Sequence, residues 1–365
     1  MAALRRELDG RTTIAIALAV GIAGAIGVAL GIGFTPERMF AAYLAAWCTI
    51  ATIAIGGLAM LVLGYATNAR WPSVVRRLCE AIASGIAPIA VLAIPLLVGA
   101  AWVWPWVQKQ HGYLSLPFFI ARTVVYFAIF IVVAELLRRF GRARRISAAA
   151  LPLIGLAITF AAFDWLMSLQ PSWWSSAFGL YVLTASLEAG LAMVIVLAWR
   201  GVTHRAMPLA PPHFHAMGRL LHAFVILWAY IAYFQVMLIQ IANKPNEAQF
   251  YLLRSGDGWR FVTALLVVLG FALPFPLLVP RRLKRRAPYL GSIAVMLLVA
   301  HYIDMWWLVI PRVSSAPIPS WTDAAALCAI AGLTTAACTW RMRGVPLLPV
   351  GDPYLADGLA YETTT

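Results

Sequence analysis

Acidic residues are scarce in this chain: 14 Asp and Glu in 365 residues against 28 Lys and Arg, with charged residues of both signs making up only 12%. A water-soluble domain carries about a quarter of its residues as charges, so this composition excludes one. With 62% hydrophobic residues and a mean hydropathy of +0.84, the chain is that of an integral membrane protein. A balance of +14 would suit nucleic acid only if the basic residues lined one face, but they fall between apolar runs. Nucleic acid is thereby excluded and the lipid bilayer becomes the first partner. Cysteine is rarer still. Cys48, Cys79, Cys328 and Cys338 show neither C-x-x-C nor C-x-x-C-H spacing, which excludes c-type haem attachment, an iron–sulfur cluster and a structural zinc site on this chain. No cofactor of its own is expected, and any redox centre belongs to a partner.

What is abundant is long apolar runs. A hydrocarbon core about 30 Å thick needs roughly 20 apolar residues per helical crossing, and ten runs reach that length: 12–34, 40–65, 81–104, 116–137, 146–169, 174–199, 217–243, 260–279, 289–311 and 322–340. Helices are the forced choice, because lipid offers no partner for open backbone groups and the alternation of a barrel strand is absent. The predicted fold class is an all-α polytopic membrane protein, one integral membrane domain over residues 1–365.

The basic residues fix an expected orientation. Arg5, Arg6 and Arg11, then Arg70, Arg76 and Arg77, then Arg138, Arg139, Arg142, Arg144 and Arg145 fall on alternate connections. Arg200, Arg205 and Arg219, the run Arg281, Arg282, Lys284, Arg285 and Arg286, and Arg341 with Arg343 continue the series. Basic loops stay in the cytoplasm, which predicts a multi-pass protein of the bacterial inner membrane with both termini inside. The first run lacks a small-x-small cleavage site and is expected to be an uncleaved span.

Short matches suggest an internal repeat. Span 2 begins Phe40-x-x-Tyr43 and later reads Gly57-Leu58-Ala59-Met60, while span 6 begins Phe178-x-x-Tyr181 and later reads Gly190-Leu191-Ala192-Met193. Span 5 ends Asp164-Trp165 with Pro171 beyond it, and span 9 reads Asp304-x-Trp306 with Pro311 at the same distance. Two parallel four-helix bundles are expected, residues 40–169 (spans 2–5) and 174–311 (spans 6–9), flanked by spans 1 and 10.

Ionisable groups near the bilayer centre cost about 2.5–3.5 kcal/mol on insertion scales and need a partner, a wet cavity or the interface. Glu80 and Glu135 lie close enough to Arg76, Arg77, Arg138 and Arg139 to form interfacial ion pairs, and Arg122 and Asp323 also sit near helix ends. Asp164 and Asp304 are deeper, each about two turns, roughly 10 Å, inside its Pro. His301 stands three residues before Asp304 on the same face, where a carboxylate could orient or exchange a proton with the imidazole; a structural hydrogen bond is the alternative. Glu188 falls mid-span with no base within one turn, which suits either proton relay or a permanently neutral hydrogen-bonded acid. His222 is a relay candidate or an interfacial histidine, and Tyr230, Tyr233 and Gln235 add polar groups to its span. His222 and His301 differ in depth, which argues against a b-type haem, and His213-x-His215 alone is too short for a metal site. The 15 tryptophans cluster at the predicted outer ends and are expected to be mostly interfacial anchors; a docking surface for an outer partner is the alternative.

Two stretches go beyond composition. One runs Phe163-Asp164-Trp165-Leu166-Met167-Ser168-Leu169-Gln170-Pro171-Ser172-Trp173-Trp174-Ser175-Ser176-x-Phe178-Gly179-x-Tyr181; the other runs from Leu220-x-x-Ala223-Phe224 through Trp228-Ala229-Tyr230, Gln235, Ile239 and Asn243-x-Pro245-x-Glu247 to Arg254. Together they resemble the ActF-type membrane subunit of alternative complex III, a quinol:cytochrome c oxidoreductase, within the polysulfide reductase-like (NrfD-like) membrane family. Departures from that pattern are Gln170 for an acid, Phe234 for a small hydroxyl residue and Gln240 for an aromatic. The resemblance implies a cofactor-free respiratory subunit with iron–sulfur, cytochrome c and paralogous membrane subunits as partners, and electrons passing to iron–sulfur and haem c centres there. It implies a quinol-site-like cavity or a proton path, and Asp164 carries over best from the motif. Asp304, His301, Glu188, His222, Tyr230 and Gln235 rest on the residues themselves. The competing expectations are a secondary transporter of parallel repeats with a site at Glu188, against which no Gly/Pro-interrupted pair of spans is seen in corresponding positions, and a purely structural scaffold.

Overall fold

A computed structural model describes residues 10–242, 245–256 and 258–362, of residues 245–247 the backbone only. Arg5, Arg6 and Asn243 of the sequence argument lie outside the described residues.

The described residues include ten helices long and apolar enough to cross a membrane: Arg11–Phe34, Pro36–Ala66, Trp71–Val98, Leu116–Phe140, Arg144–Leu169, Phe178–Thr203, Pro211–Ala242, Trp259–Leu277, Ala287–Arg312 and Trp321–Arg341, spans 1 to 10. Span 2 is the hub. It touches spans 1, 3, 5, 6, 9 and 10 and buries nearly its whole surface, so it reads as a helix apolar all round. Span 6 lies on spans 5, 7 and 9, so span 2 against 9 is mirrored by span 6 against 5. Spans 1 and 10 pair with each other beside span 2.

Apolar tails give two helices no hydrophobic reason to associate, so membrane helices hold together by close packing of small residues. Where spans 2 and 6 cross, a Cβ on Gly56 would stand 1.9 Å from the Ser186 carbonyl oxygen, and one on Gly190 would stand 2.4 Å from the Gly56 carbonyl carbon. Backbone cannot yield as a flexible side chain can. Gly56→Ala is therefore expected to reduce the monodisperse fraction on size-exclusion chromatography sharply. Gly155→Ala, which meets nothing within 4 Å, should match wild type, and equal behaviour of the two would refute the crossing as a stability determinant.

Two spans expected to be continuous are broken. Span 3 is a 3₁₀ turn, Trp71–Val75, and three short helices, Arg76–Ala83, Ile86–Val91 and Ile94–Val98, with a fourth, Ala100–Val103, past its end. Pro88, Pro95, Gly85 and, just past its end, Gly99 punctuate it. The carbonyls freed at these breaks are satisfied from span 2: Tyr43 Oη donates to Leu92 O at 2.9 Å and Trp47 Nε1 to Ile89 O at 3.0 Å, as irregular backbone inside a membrane requires. Span 8 is Trp259–Val267, a π turn over Val268–Ala272, and Pro274–Leu277. In the expected repeat, span 3 would correspond to span 7 and span 8 to span 4, so the interruptions are not in matching positions.

The ion pairs expected at the basic face are present: Glu80 with Arg76 at 2.7 Å and Arg77 at 2.5 Å, Glu135 with Arg138 at 2.6 Å and Arg139 at 2.7 Å. Asp323 pairs with Arg38. The C-terminal segment folds back over this face, where Asp352 meets Arg76 and Arg142 and Asp357 meets Arg70.

The tryptophans correct an expectation. Trp47, Trp104, Trp106, Trp165, Trp173, Trp228, Trp259, Trp306 and Trp307 are buried within the protein, whereas Trp102, Trp174, Trp321 and Trp340 are the large exposed ones. Much of the presumed anchoring belt is core: Trp47 packs edge-on to Trp165 at 4.7 Å, and Trp173 stacks on Phe250 at 4.0 Å. End-of-span location alone did not distinguish a ring facing lipid from one facing the next helix.

Candidate functional site

Two helices build the site. On span 6, Tyr181, Ala185 and Glu188 stand at i, i+4 and i+7, one stripe of the helix; on span 9, Leu297, Ala300, His301 and Asp304 form the matching stripe. The stripes face each other around a cavity of about 10 Å³ lined by Glu188, His301, Asp304, Trp228, Leu266 and Gly270 among others. That is room for one water molecule. Glu188, His301 and Asp304, three of the residues singled out in the sequence, therefore line one small cavity.

Their hydrogen bonds differ from the expected arrangement. No bond joins His301 to Asp304: His301 Nε2 lies 2.7 Å from Thr52 Oγ1 on span 2, and Tyr181 Oη donates to Asp304 Oδ1 from span 6. Their shared face serves to present both to the cavity. Asp304 Oδ2 and Glu188 Oε2 are buried with no protein partner. Two unpartnered carboxyl oxygens facing a one-water space can be satisfied by a bridging water or by a shared proton.

On the other side of Tyr181 opens a groove of about 700 Å³, lined by Trp173, Phe178, Trp228, Tyr230, Tyr233, Gln235, Phe250, Tyr251, Arg254 and neighbours on span 8. Tyr181, Trp228 and Leu266 form the partition, since Trp228 and Leu266 line both spaces and Tyr181 lines the groove while binding Asp304. The π turn of span 8 sets this wall. Leu273 N donates to Val268 O at 2.9 Å, five residues back, and Pro274 has no N–H for the Gly270 carbonyl. Gly270 in turn admits the Trp228 ring, which a Cβ there would meet at 2.9 Å.

Arg254 closes the far end. Its Nη1 donates to Phe250 O at 2.7 Å, its Nε and Nη2 to Trp307 O and Leu308 O at 3.0 and 2.9 Å, and its guanidinium lies 3.6 Å from the Phe250 ring centroid. It thus caps the last carbonyls of the span 9 helix with a cation, where the helix dipole favours one. Burial pushes the nearby Tyr251 phenol up, so it remains a protonated donor at the groove wall.

The remaining candidates fall into place less uniformly. Gln235 is buried with Oε1 unpartnered. Tyr230 and Tyr233 are exposed at the groove's lipid-facing edge. His222 lines neither space; its ring packs on Phe275 at 5.1 Å with Nε2 buried and unpartnered. Asp164 is apart from both, wholly buried between spans 4 and 5, where Arg122 grips it through Nε and Nη2 at 2.8 Å each and Tyr126 donates to it at 2.7 Å. The motif that carries the family resemblance thus contains an acid already neutralised by a cation.

Neither protein-family models nor curated proteins match this chain. The site's own geometry therefore carries the functional argument. Sequence reasoning missed Tyr181 as the partner of Asp304, Thr52 as the partner of His301, and Trp228 as the partition. The signal for Tyr181 was present, because it lies seven residues before Glu188 on the same face.

Proposed function

We propose that this protein is a cofactor-free membrane subunit of a respiratory quinol:cytochrome c oxidoreductase of the alternative complex III kind. In this proposal the groove between spans 7 and 8 takes a lipophilic quinol, and the Asp304 cavity receives its proton. The observation that supports it most is Asp304 itself: one carboxyl oxygen held by a tyrosine on the groove wall, the other buried and unpartnered at a small cavity that Glu188 also lines. Flat aromatic walls with a few polar atoms at one end suit a small aromatic diol on an apolar tail, and the volume falls within the range of ligand pockets. Oxidation of a quinol releases two electrons and two protons. The electrons would leave for iron–sulfur and haem c centres on partner subunits; one proton would pass along Tyr181 to Asp304 and on to Glu188, and the other would leave to water at the mouth of the groove. The bacterial inner membrane, with both termini cytoplasmic, is the location this function implies.

The chain, tagged and isolated from native membranes in mild detergent, should bring down iron–sulfur and multihaem cytochrome c subunits, seen by mass spectrometry and by a reduced-minus-oxidised haem spectrum. Ala232→Trp, which fills the groove, should raise KM for a short-chain quinol about tenfold while leaving that composition unchanged. A chain that emerges alone and colourless, where other respiratory complexes survive, would count against the assignment.

A further inference from the structure

The basic face holds a cluster that neither the groove nor the Asp304 cavity uses. His215, Gly218, Arg219 and His222 stand three and four residues apart, so they share one face of span 7. That face meets the helix Arg281–Lys284 in the connection from span 8 to span 9, with Arg285 following. Gly218 makes the approach close, since a Cβ there would lie 3.2 Å from the Lys284 stem. Lys284, Arg281, Arg219 and Arg285 all lie within electrostatic reach of His215, and Lys284 also of His222.

Among the described residues none of these four cations has an ion pair. Among the described residues, Glu80 and Asp352 are engaged around Arg76, Glu135 with Arg138 and Asp357 with Arg70. Three nitrogens of the cluster, His215 Nδ1, His222 Nε2 and Arg285 Nε, are buried without a partner. His215 and Lys284 are each only 6% exposed. Burial, then Arg219, pushes the Lys284 ammonium down. A buried lysine and unpartnered buried nitrogens beside the half-buried Arg285 and the exposed Arg219 and Arg281 suit an acceptor that carries negative charge.

We propose that this cluster binds the phosphodiester of an anionic phospholipid, with His215, Arg219, Lys284 and Arg285 as its ligands. A lipid is favoured over free phosphate by what lies alongside. Leu273, Leu277 and Val279 are exposed and apolar on the segment leading into the cluster, and Phe275 carries the apolar surface up to His222. Acyl chains would lie along that flank while the phosphate sits among the cations, as in basic pockets between membrane helices.

The test uses the full chain with whatever subunits accompany it, stripped in mild detergent, with retained phospholipid identified by mass spectrometry. Wild type is expected to keep about one anionic phospholipid per chain. The triple variant Arg219→Gln/Lys284→Gln/Arg285→Gln should bind it about 100-fold more weakly, three juxtaposed cations being lost. Arg144→Gln/Arg145→Gln, two exposed cations of the same face, should retain it like wild type. Equal retention by all three, or equal loss from both variants, overturns the proposal. Should the triple variant fail to fold, delipidated wild type decides alone: dioleoylphosphatidylglycerol should raise Tm and dioleoylphosphatidylcholine should not. Equal rises overturn the site, and a rise with inorganic phosphate but not with phosphatidylglycerol overturns the lipid.

Discussion

In a quinol:cytochrome c assay, Asp304→Asn is expected to lower kcat by about 10²–10⁴-fold with subunit composition and haem content unchanged. The substitution is nearly isosteric. Asn keeps an oxygen to accept from Tyr181, so the bond between spans 6 and 9 survives; what is lost is the oxygen that faces Glu188 across the cavity. An amide cannot take a proton there. The proposal therefore separates from a scaffold, for which the same change alters assembly and leaves the turnover of assembled complex alone. It also separates from a role confined to quinol binding, since KM should change less than kcat. Turnover within about threefold of wild type, with assembly intact, would remove Asp304 from proton transfer.

Much of this site could be read from helical spacing alone. Asp304 and His301 share a face because they are three apart, and Glu188 stands out because nothing basic is within a turn. Spacing says which residues share a stripe, and the stripes of spans 6 and 9 do line one cavity. It does not say how two helices are rotated against each other. That rotation is why His301 turned to Thr52 and Asp304 to Tyr181. The repeated F-x-x-Y pair makes the same point. Tyr43 and Tyr181 occupy matching places in sequence, yet one satisfies a broken helix and the other binds an acid, because only the first faces the interruptions of span 3. Those interruptions were hidden because apolar composition identifies a crossing without identifying its backbone. The groove was illegible for a related reason: its walls come from spans 6, 7, 8 and 9 and from the helix Pro245–Leu252.

The second large effect is expected at the other acid. Arg122→Leu should destabilise the protein by about 3–5 kcal/mol, because it leaves Asp164 buried without its counter-ion. The side chain of Asp164 is fully buried and that of Arg122 nearly so. Tyr126 can donate only one hydrogen bond to the abandoned carboxylate, so the acid must hold a proton or spans 4 and 5 must part. Leu at both positions should restore most of that loss, since replacing a buried ion pair by apolar groups is often neutral. A double-mutant cycle on detergent unfolding measures the difference. The same cycle distinguishes the two acids. Asp164→Asn should lower the yield of folded protein, yet each molecule that folds should turn over at nearly the wild-type rate, because Asp164 faces a guanidinium where Asp304 faces a cavity. If Asp164→Asn instead abolishes turnover in fully assembled complex while Arg122→Leu unfolds normally, then the pair is part of the reaction path and the acid singled out by the motif, Asp164, takes the proton.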